Sequence, residues 1–201
     1  MSMLNVLNAA KNLYQSHQDL KQFAKWPNDL TNSNLPSRIM PAAKLVENFS
    51  LNGTSDTNPL IKEIKTNVNL AHWKRTYTEK EVGYDFLNRY GYYELFGPFG
   101  HFYSTQLRGF IGFWGNELTY DWHSHEAEEI YLMLGGSALF RTKEEDLIVK
   151  PNETQTHSSW QSHSMITNKE PILTFVLWKG MGIFKSPKMD LEPVSNSSIC
   201  K

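Results

Sequence analysis

Tyr120-Asp-Trp-His123-Ser-His125-Glu-Ala-Glu-Glu129-Ile-Tyr131-Leu-Met-Leu-Gly135-Gly136 is the densest run of chemistry in the chain. Read as two strands, it puts His123 and His125 on one face, because side chains alternate with period 2. Glu129, Tyr131 and Met133 share a face of the second strand, and Ile130, Leu132 and Leu134 take the other. Two adjacent strands of this kind aim two imidazoles and a carboxylate at a common point. The set mixes nitrogen with oxygen donors and lacks thiolates, which suits Fe(II), Mn(II), Ni(II), Cu(II), Co(II) or Zn(II). A catalytic metal also needs open positions for substrate, and few protein ligands leave them.

Outward from this run, the chain after residue 100 reads as short β-like segments split by turn residues. Strands are expected at 106–115, 117–123, 128–134, 136–142, 145–149, 163–168 and 172–178, with Gly135-Gly136 and Asn168-Lys-Glu-Pro171 as turns. Many short strands without intervening helices mean a sandwich or barrel. Upstream the periodicity is helical. Leu4, Leu7, Ala10, Tyr14, His17, Leu20 and Phe23 form one stripe that ends at Trp26-Pro27. Residues 27–58 read as an irregular crossing. A second helix opens at Asn58-Pro59, with proline in the first turn. A third opens at the capping-box pattern Thr78-x-x-Glu81 and runs to Tyr90-Gly91. The expected organisation is a helical region over 1–100 that does not stand alone, a β-barrel over 101–192 and a tail over 193–201.

Composition narrows the function. The 201 residues carry 20 Lys and Arg against 21 Asp and Glu, a net charge of −1. No cation excess is available for phosphates, so nucleic acid is not an expected partner. A chain of this length buries roughly 70% of its unfolded surface and needs no staples. Its single cysteine, Cys200, excludes an internal disulfide, a thiolate zinc cluster and an iron–sulfur site. No apolar run reaches the ~18 residues that cross a bilayer, and the first residues lack a signal-peptide pattern. The expected location is the cytoplasm, with no membrane partner.

His123-x-His125-x3-Glu129-x6-Gly136 resembles the first signature of the cupin superfamily. His163-Ser-Met-Ile-Thr-Asn168-Lys-Glu-Pro171 resembles the second, with one extra residue before Asn168, and Pro151-Asn-Glu153 lacks the glycine that usually precedes it. His157 is therefore a rival to His163. His163 is preferred, since alternation then puts Met165 and Thr167 inside and a turn follows. The string 120–131, with Trp160-Gln-Ser-His163-Ser-Met165 and Val176-Leu-Trp178, is similar to the bacterial cupin-type dimethylsulfoniopropionate lyases of the Q-type. The motifs span roughly 114–180.

That resemblance implies a mainly β, jelly-roll-like cupin barrel with the helical half packed on it. It further implies cleavage of dimethylsulfoniopropionate to dimethyl sulfide and acrylate on one divalent transition metal, with iron, zinc and manganese foremost. His125, Glu129 and His163 would be ligands, and His123 a fourth ligand or a near neighbour. Tyr131 and Tyr120 would be the candidate bases. Trp178, Tyr120 and His123 would bind the substrate, a zwitterionic sulfonium carboxylate. Beyond this small molecule, the one further expected partner is a second copy of the chain in a homodimer.

The residue types suit that chemistry. A proton α to a carboxylate is poorly acidic, and a metal on the carboxylate spreads the developing charge. Tyrosine, with a reference pKa of ~10, acts as a base near neutrality only beside a cation. Tyr131 lies two residues past Glu129 on the same face. Tyr120 has the opposite parity to His123, and only a bulge near Asp121-Trp122 would turn it inward. For the sulfonium, aromatic faces are expected at Trp178, Phe113, Phe140 or Trp160. Glu126 and Glu128 are expected in a solvated turn, and His17, His72 and His101 on surface or helix faces. Segment 27–58 could lie over the barrel mouth with Met40 or Phe49 on the substrate. Two other readings stand beside the lyase: a cupin oxygenase with the same ligands, and a non-catalytic small-ligand-binding cupin.

Overall fold

The computed structural model describes residues 2–50 and 53–191, so the expected tail at 193–201 and Cys200 lie outside the described residues. The helices are α1 (Met3–Ser16), α2 (Gln18–Phe23), α3 (Pro41–Asn48), α4 (Asn58–Thr66), α5 (Glu79–Val82) and α6 (Tyr84–Arg89). The strands are β1 (Thr31–Asn32), β2 (Tyr90–Phe96), β3 (Phe102–Tyr103), β4 (Arg108–Trp114), β5 (Thr119–Ser124) and β6 (Glu128–Gly135). They continue with β7 (Ala138–Arg141), β8 (Asp146–Val149), β9 (Thr154–His157), β10 (His163–Thr167), β11 (Ile172–Lys179) and β12 (Lys188–Met189).

A seven-stranded sheet in the order β1-β3-β2-β4-β11-β6-β9 faces a five-stranded one in the order β12-β5-β10-β7-β8. The result is the mainly β cupin barrel with N-terminal helices that the sequence predicts. Period-2 alternation divides the large sheet between two cores. Ile130, Leu132 and Leu134 of β6, with Leu173, Phe175 and Leu177 of β11, face the helices and meet Val6, Ala10, Val46, Leu60 and Ile64. Tyr131 and Met133, with Ile172, Val176 and Trp178, face the barrel interior and meet Tyr120, Phe140 and Met165 of the small sheet. β11 reads as an unbroken apolar run because helices cover its outer face and the barrel its inner one. At Gly136 the backbone has φ +72°, and a Cβ there would lie 2.1 Å from the Pro171 carbonyl oxygen, so the turn after β6 needs glycine.

The structure differs from the sequence reading at five places. The first helical stripe is broken at His17, whose extended backbone donates to the Leu13 carbonyl and closes α1. The crossing at 27–58 contains α3, a short helix with proline in its first turn that buries Ala42, Ala43 and Val46. The helix begun at Thr78 is two helices, because Gly83 takes φ +79° between them. Finally β2 starts at Tyr90, where the helix was expected to end, so the sheet reaches back past the boundary set at residue 100. β9 was also not anticipated; its sequence, Thr-Gln-Thr-His, has no apolar alternation to announce it. Among the described residues, no helix is long and apolar enough to cross a membrane.

Candidate active site

Strand register assembles the site in two rows. In the large sheet, Glu129 of β6 lies between His157 of β9 and Trp178 of β11. In the small sheet, His163 of β10 lies opposite His123 of β5. His125 follows the end of β5. All five ionisable side chains are buried, at 2% exposure or less.

Glu129 is the centre. Its Oε2 is 3.2 Å from His125 Nε2, 3.0 Å from His157 Nδ1 and 3.3 Å from His163 Nε2. Its Oε1 accepts the indole N–H of Trp178 at 2.6 Å. Burial by itself would raise its pKa, but attraction to His125 and hydrogen bonds from His125 and His157 hold the carboxyl well below the usual carboxylate range. Burial works against protonating His125, yet Glu129 prevails and raises it.

The histidines differ in how their rings are held. His123, His125 and His163 each donate Nδ1–H to a backbone carbonyl, those of Asp121, Ala127 and Gln161, at 2.8 Å. A carbonyl only accepts, so these bonds fix the tautomer and leave Nε2 as the nitrogen available for coordination. His163 Nε2 is buried with no aligned hydrogen-bond partner, although Glu129 stands 3.3 Å away. One ligand atom each from His125, Glu129 and His163 lies within 4.8 Å of the others. Two imidazole nitrogens facing one carboxylate, each backed by a carbonyl, fit a divalent cation of nitrogen and oxygen preference. His157 is built otherwise. It spends Nδ1 on Glu129 and stacks on His163 with ring centroids 3.8 Å apart. Burial, then repulsion from His163, lowers its pKa to about 4. His123 stands outside the three-residue group, its ring 4.1 Å from that of His163; burial holds its pKa well below the ordinary value.

The tyrosines sit on either side. Opposite Ser164, β5 fits two residues, Asp121 and Trp122, so the expected bulge is present and turns Tyr120 inward. Its hydroxyl is 2.8 Å from that of Tyr77. Tyr131 follows Glu129 on the same face, with its ring 5.1 Å from Phe140. Burial pushes both phenols well above their ordinary pKa, and the charge of Glu129 pushes Tyr131 further. A cavity of about 160 Å³ joins Glu129, Tyr120, Tyr131 and Trp178, closed by Tyr90 and Trp114.

Several expected neighbours lie elsewhere. Phe113 points out of the barrel and packs in the helix-side core. Trp160 is 51% exposed. Phe140 stays inside, stacked 6.0 Å from His157, but does not line the cavity. Met40 and Phe49 pack on the helix-side core, and the mouth is bordered instead by Arg75 and Thr76 and by 185–187. Glu126 lies in the turn as expected, paired with Lys185, whereas Glu128 is the exposed first residue of β6, paired with Lys179. His101 is buried, not on a surface: its Nε2 accepts the backbone N–H of His72 at 3.0 Å. Arg108 and Tyr77 were missed, since nothing in their local sequence distinguishes them from core or surface residues.

A family model for dimethylsulfoniopropionate (DMSP) lyase matches residues 14–174. Dimethylsulfoniopropionate lyase DddQ of Ruegeria pomeroyi is 31% identical over 178 residues, 88% of each chain. A chain from the crystal structures of the DMSP lyases RdDddP and RnDddQII superposes with a TM-score of 0.92 at 36% identity, over 94% of this chain and 97% of that one. The crystal structure of DMSP lyase DddQ from Ruegeria pomeroyi DSS-3 superposes with a TM-score of 0.88 at 28% identity, over 93% and 95%. The chain therefore belongs to the DMSP lyase family, in its Q-type cupin branch, and is a carbon–sulfur lyase.

Proposed function

We propose that the protein cleaves dimethylsulfoniopropionate to dimethyl sulfide and acrylate by base-catalysed β-elimination, with His125, Glu129 and His163 holding one divalent transition metal such as iron, zinc or manganese. One juxtaposition supports this above all: Glu129, which converges with His125 and His163, lines a largely aromatic cavity that also carries Tyr120 and Tyr131. When bound, the metal supplies Lewis-acid stabilisation to the substrate carboxylate.

The residues around it perform the elimination. A base takes the proton from the carbon α to the carboxylate. The freed electron pair forms the α–β double bond, the C–S bond breaks, and its pair leaves on sulfur, so the sulfonium departs as a neutral sulfide. Tyr131 is the first candidate for the base, since it shares the face of Glu129 and lines the cavity. Tyr120 is the second, brought in by the β5 bulge. Both need a nearby positive charge to ionise, because burial opposes the phenolate. Tyr120, His123 and Trp178 form the substrate-binding side, where aromatic faces hold a sulfonium by ~0.5–2 kcal/mol per contact.

Metal-loaded protein mixed with dimethylsulfoniopropionate is expected to release dimethyl sulfide into the headspace and acrylate into solution in equal amounts. Failure to release either product would end this reading. An absolute requirement for O₂ would move the protein to the oxygenase class.

A further inference from the structure

Arg108 and Glu94 form an ion pair that takes no part in the bond-breaking steps of the elimination. They come from the inward faces of neighbouring strands β4 and β2, and their side chains are 9% and 0% exposed. A buried pair of this kind persists when its remaining polar atoms are matched. Arg108 Nε donates to Glu94 Oε2 at 2.9 Å, and Nη2 lies 2.9 Å from the same oxygen. Glu94 Oε1 accepts the Phe99 N–H at 2.8 Å. Nη1 donates to the carbonyls of Ile183 and Lys185, each at 3.1 Å.

Those two carbonyls belong to a strap, residues 180–187. It leaves β11 just past Trp178, places Lys185, Ser186 and Pro187 on the cavity wall, and enters β12, which pairs with β5 at Ser124 and His123. The guanidinium carbon also lies 4.7 Å from the ring centroid of Phe110 and 5.4 Å from that of Trp178. With Nε and Nη1 committed to Glu94 and the strap, Arg108 cannot present a two-pronged fork to a substrate carboxylate, although it lines the cavity.

We propose that Arg108, neutralised by Glu94, is a positioning residue for the elimination: it fixes the strap across the cavity mouth and steadies Trp178, whose indole holds Glu129. The proposal rests on the lyase reading. The strap has a second, separate anchor. Gly182 packs so tightly on the turn between β5 and β6 that a Cβ there would lie 2.1 Å from Ala127 N.

The test compares E94Q/R108M, which removes both charges and leaves neither orphaned, with G182A and R108K. In E94Q/R108M the KM for dimethylsulfoniopropionate is expected to rise about tenfold or more, and Zn(II) titration to show about tenfold weaker binding. In G182A the KM rises as the strap is displaced, a change read by KM and trypsin alone, because the new Cβ presses on Ala127, whose carbonyl holds His125. In R108K, which keeps the charge but loses the fork, the KM is intermediate. Trypsin should cut after Lys185 in folded E94Q/R108M and G182A, and not in the parent. Parental KM, Zn(II) affinity and trypsin resistance in folded E94Q/R108M would overturn the proposal. Should that variant not fold, parental values in both R108K and G182A would do the same. A parent that cleaves no dimethylsulfoniopropionate would refute the lyase reading alone, since trypsin and Zn(II) still decide the role of Arg108.

Discussion

Tyr120 lies on His123 with ring centroids 3.9 Å apart, three residues along a strand where regular alternation would put them on opposite faces. The extra residue in β5, opposite Ser164, is what turns both inward. Bulges re-aim side chains near active sites in this way. Tyr120 and Tyr131 are therefore both placed inside the barrel, and both are candidates for the base of the proposed elimination.

Phenylalanine at either position deletes the phenol and keeps the ring. Loss of a general base costs ~10²–10⁴ in rate, so Tyr131→Phe is expected to fold, bind metal and turn over at that fraction of the parental kcat. Burial keeps both phenols largely protonated near neutrality, so the scarce reactive phenolate becomes more abundant as pH rises. Parental kcat should climb from about pH 6 to 8 or above, where the reference pKa of ~10 is still approached from below. Tyr131→Phe should flatten that climb. Near-parental kcat in Tyr131→Phe would transfer the role to Tyr120, and activity in both variants would refute the tyrosine mechanism.

The two stacked histidines of the site should separate in metal content. His163→Ala removes a nitrogen of the converging group and is expected to lose most bound metal. His157→Ala removes only a hydrogen bond to Glu129 Oε2, so the protein should still fill with metal, with affinity lower by ~10–100-fold. Elemental analysis with a chelator titration checks both. Full metal in His163→Ala would refute the ligand assignment.

Trp178 has two functions that substitutions can divide. Trp178→Phe keeps an aromatic face but deletes the N–H that Glu129 Oε1 accepts at 2.6 Å. Metal affinity should fall by ~10–100-fold, with a smaller rise in KM at saturating metal. Trp178→Ala should show both losses in full. In the same assays 3-(methylthio)propionate, which lacks the positive charge and the good leaving group, should neither be cleaved nor bind well. Parental metal binding in Trp178→Phe would leave the indole only a wall of the cavity.

His101 predicts a pH-dependent stability. Burial, then the charges of His72 and Lys74, lowers its pKa to about 4, from ~6.5 in the unfolded chain. Between these values the unfolded state binds more protons, so the His101 contribution is complete above pH 6.5 and is lost as pH falls toward 4. Its Nε2 must stay unprotonated to accept the His72 N–H. Urea denaturation at pH 7 and pH 5 should show this loss in the parent and a smaller one in His101→Gln. Equal losses would exclude His101 as the source.

The faces of β6 and β11 were legible because burial on both sides of one sheet still obeys period 2. Ile130, Leu132 and Leu134 go to the helices, and Glu129, Tyr131 and Met133 go inward. The spacing of His123, His125 and Glu129, with the later His163, likewise marked the site before any fold was known. Short elements were less legible. α3 and β9 are too brief for a period to accumulate, and the split at Gly83 depends on one backbone angle.

The sequence by itself determined the fold class and the cluster from His123 to Glu129, because these rest on local alternation and on residue types a few positions apart, while the family and His163 came with the resemblance of two separate motifs. Only the tertiary structure decided which histidine points a bare nitrogen at Glu129 and which merely hydrogen-bonds to it. That choice depends on backbone carbonyls at Asp121, Ala127 and Gln161 fixing ring tautomers. It also decided that Tyr120 enters the barrel, through a bulge set by pairing with β10, and that Trp178 holds Glu129 across a strand register 49 residues long in sequence. Such relations join residues far apart in the chain, and pairing and burial between strands fix them where periodicity within one strand cannot.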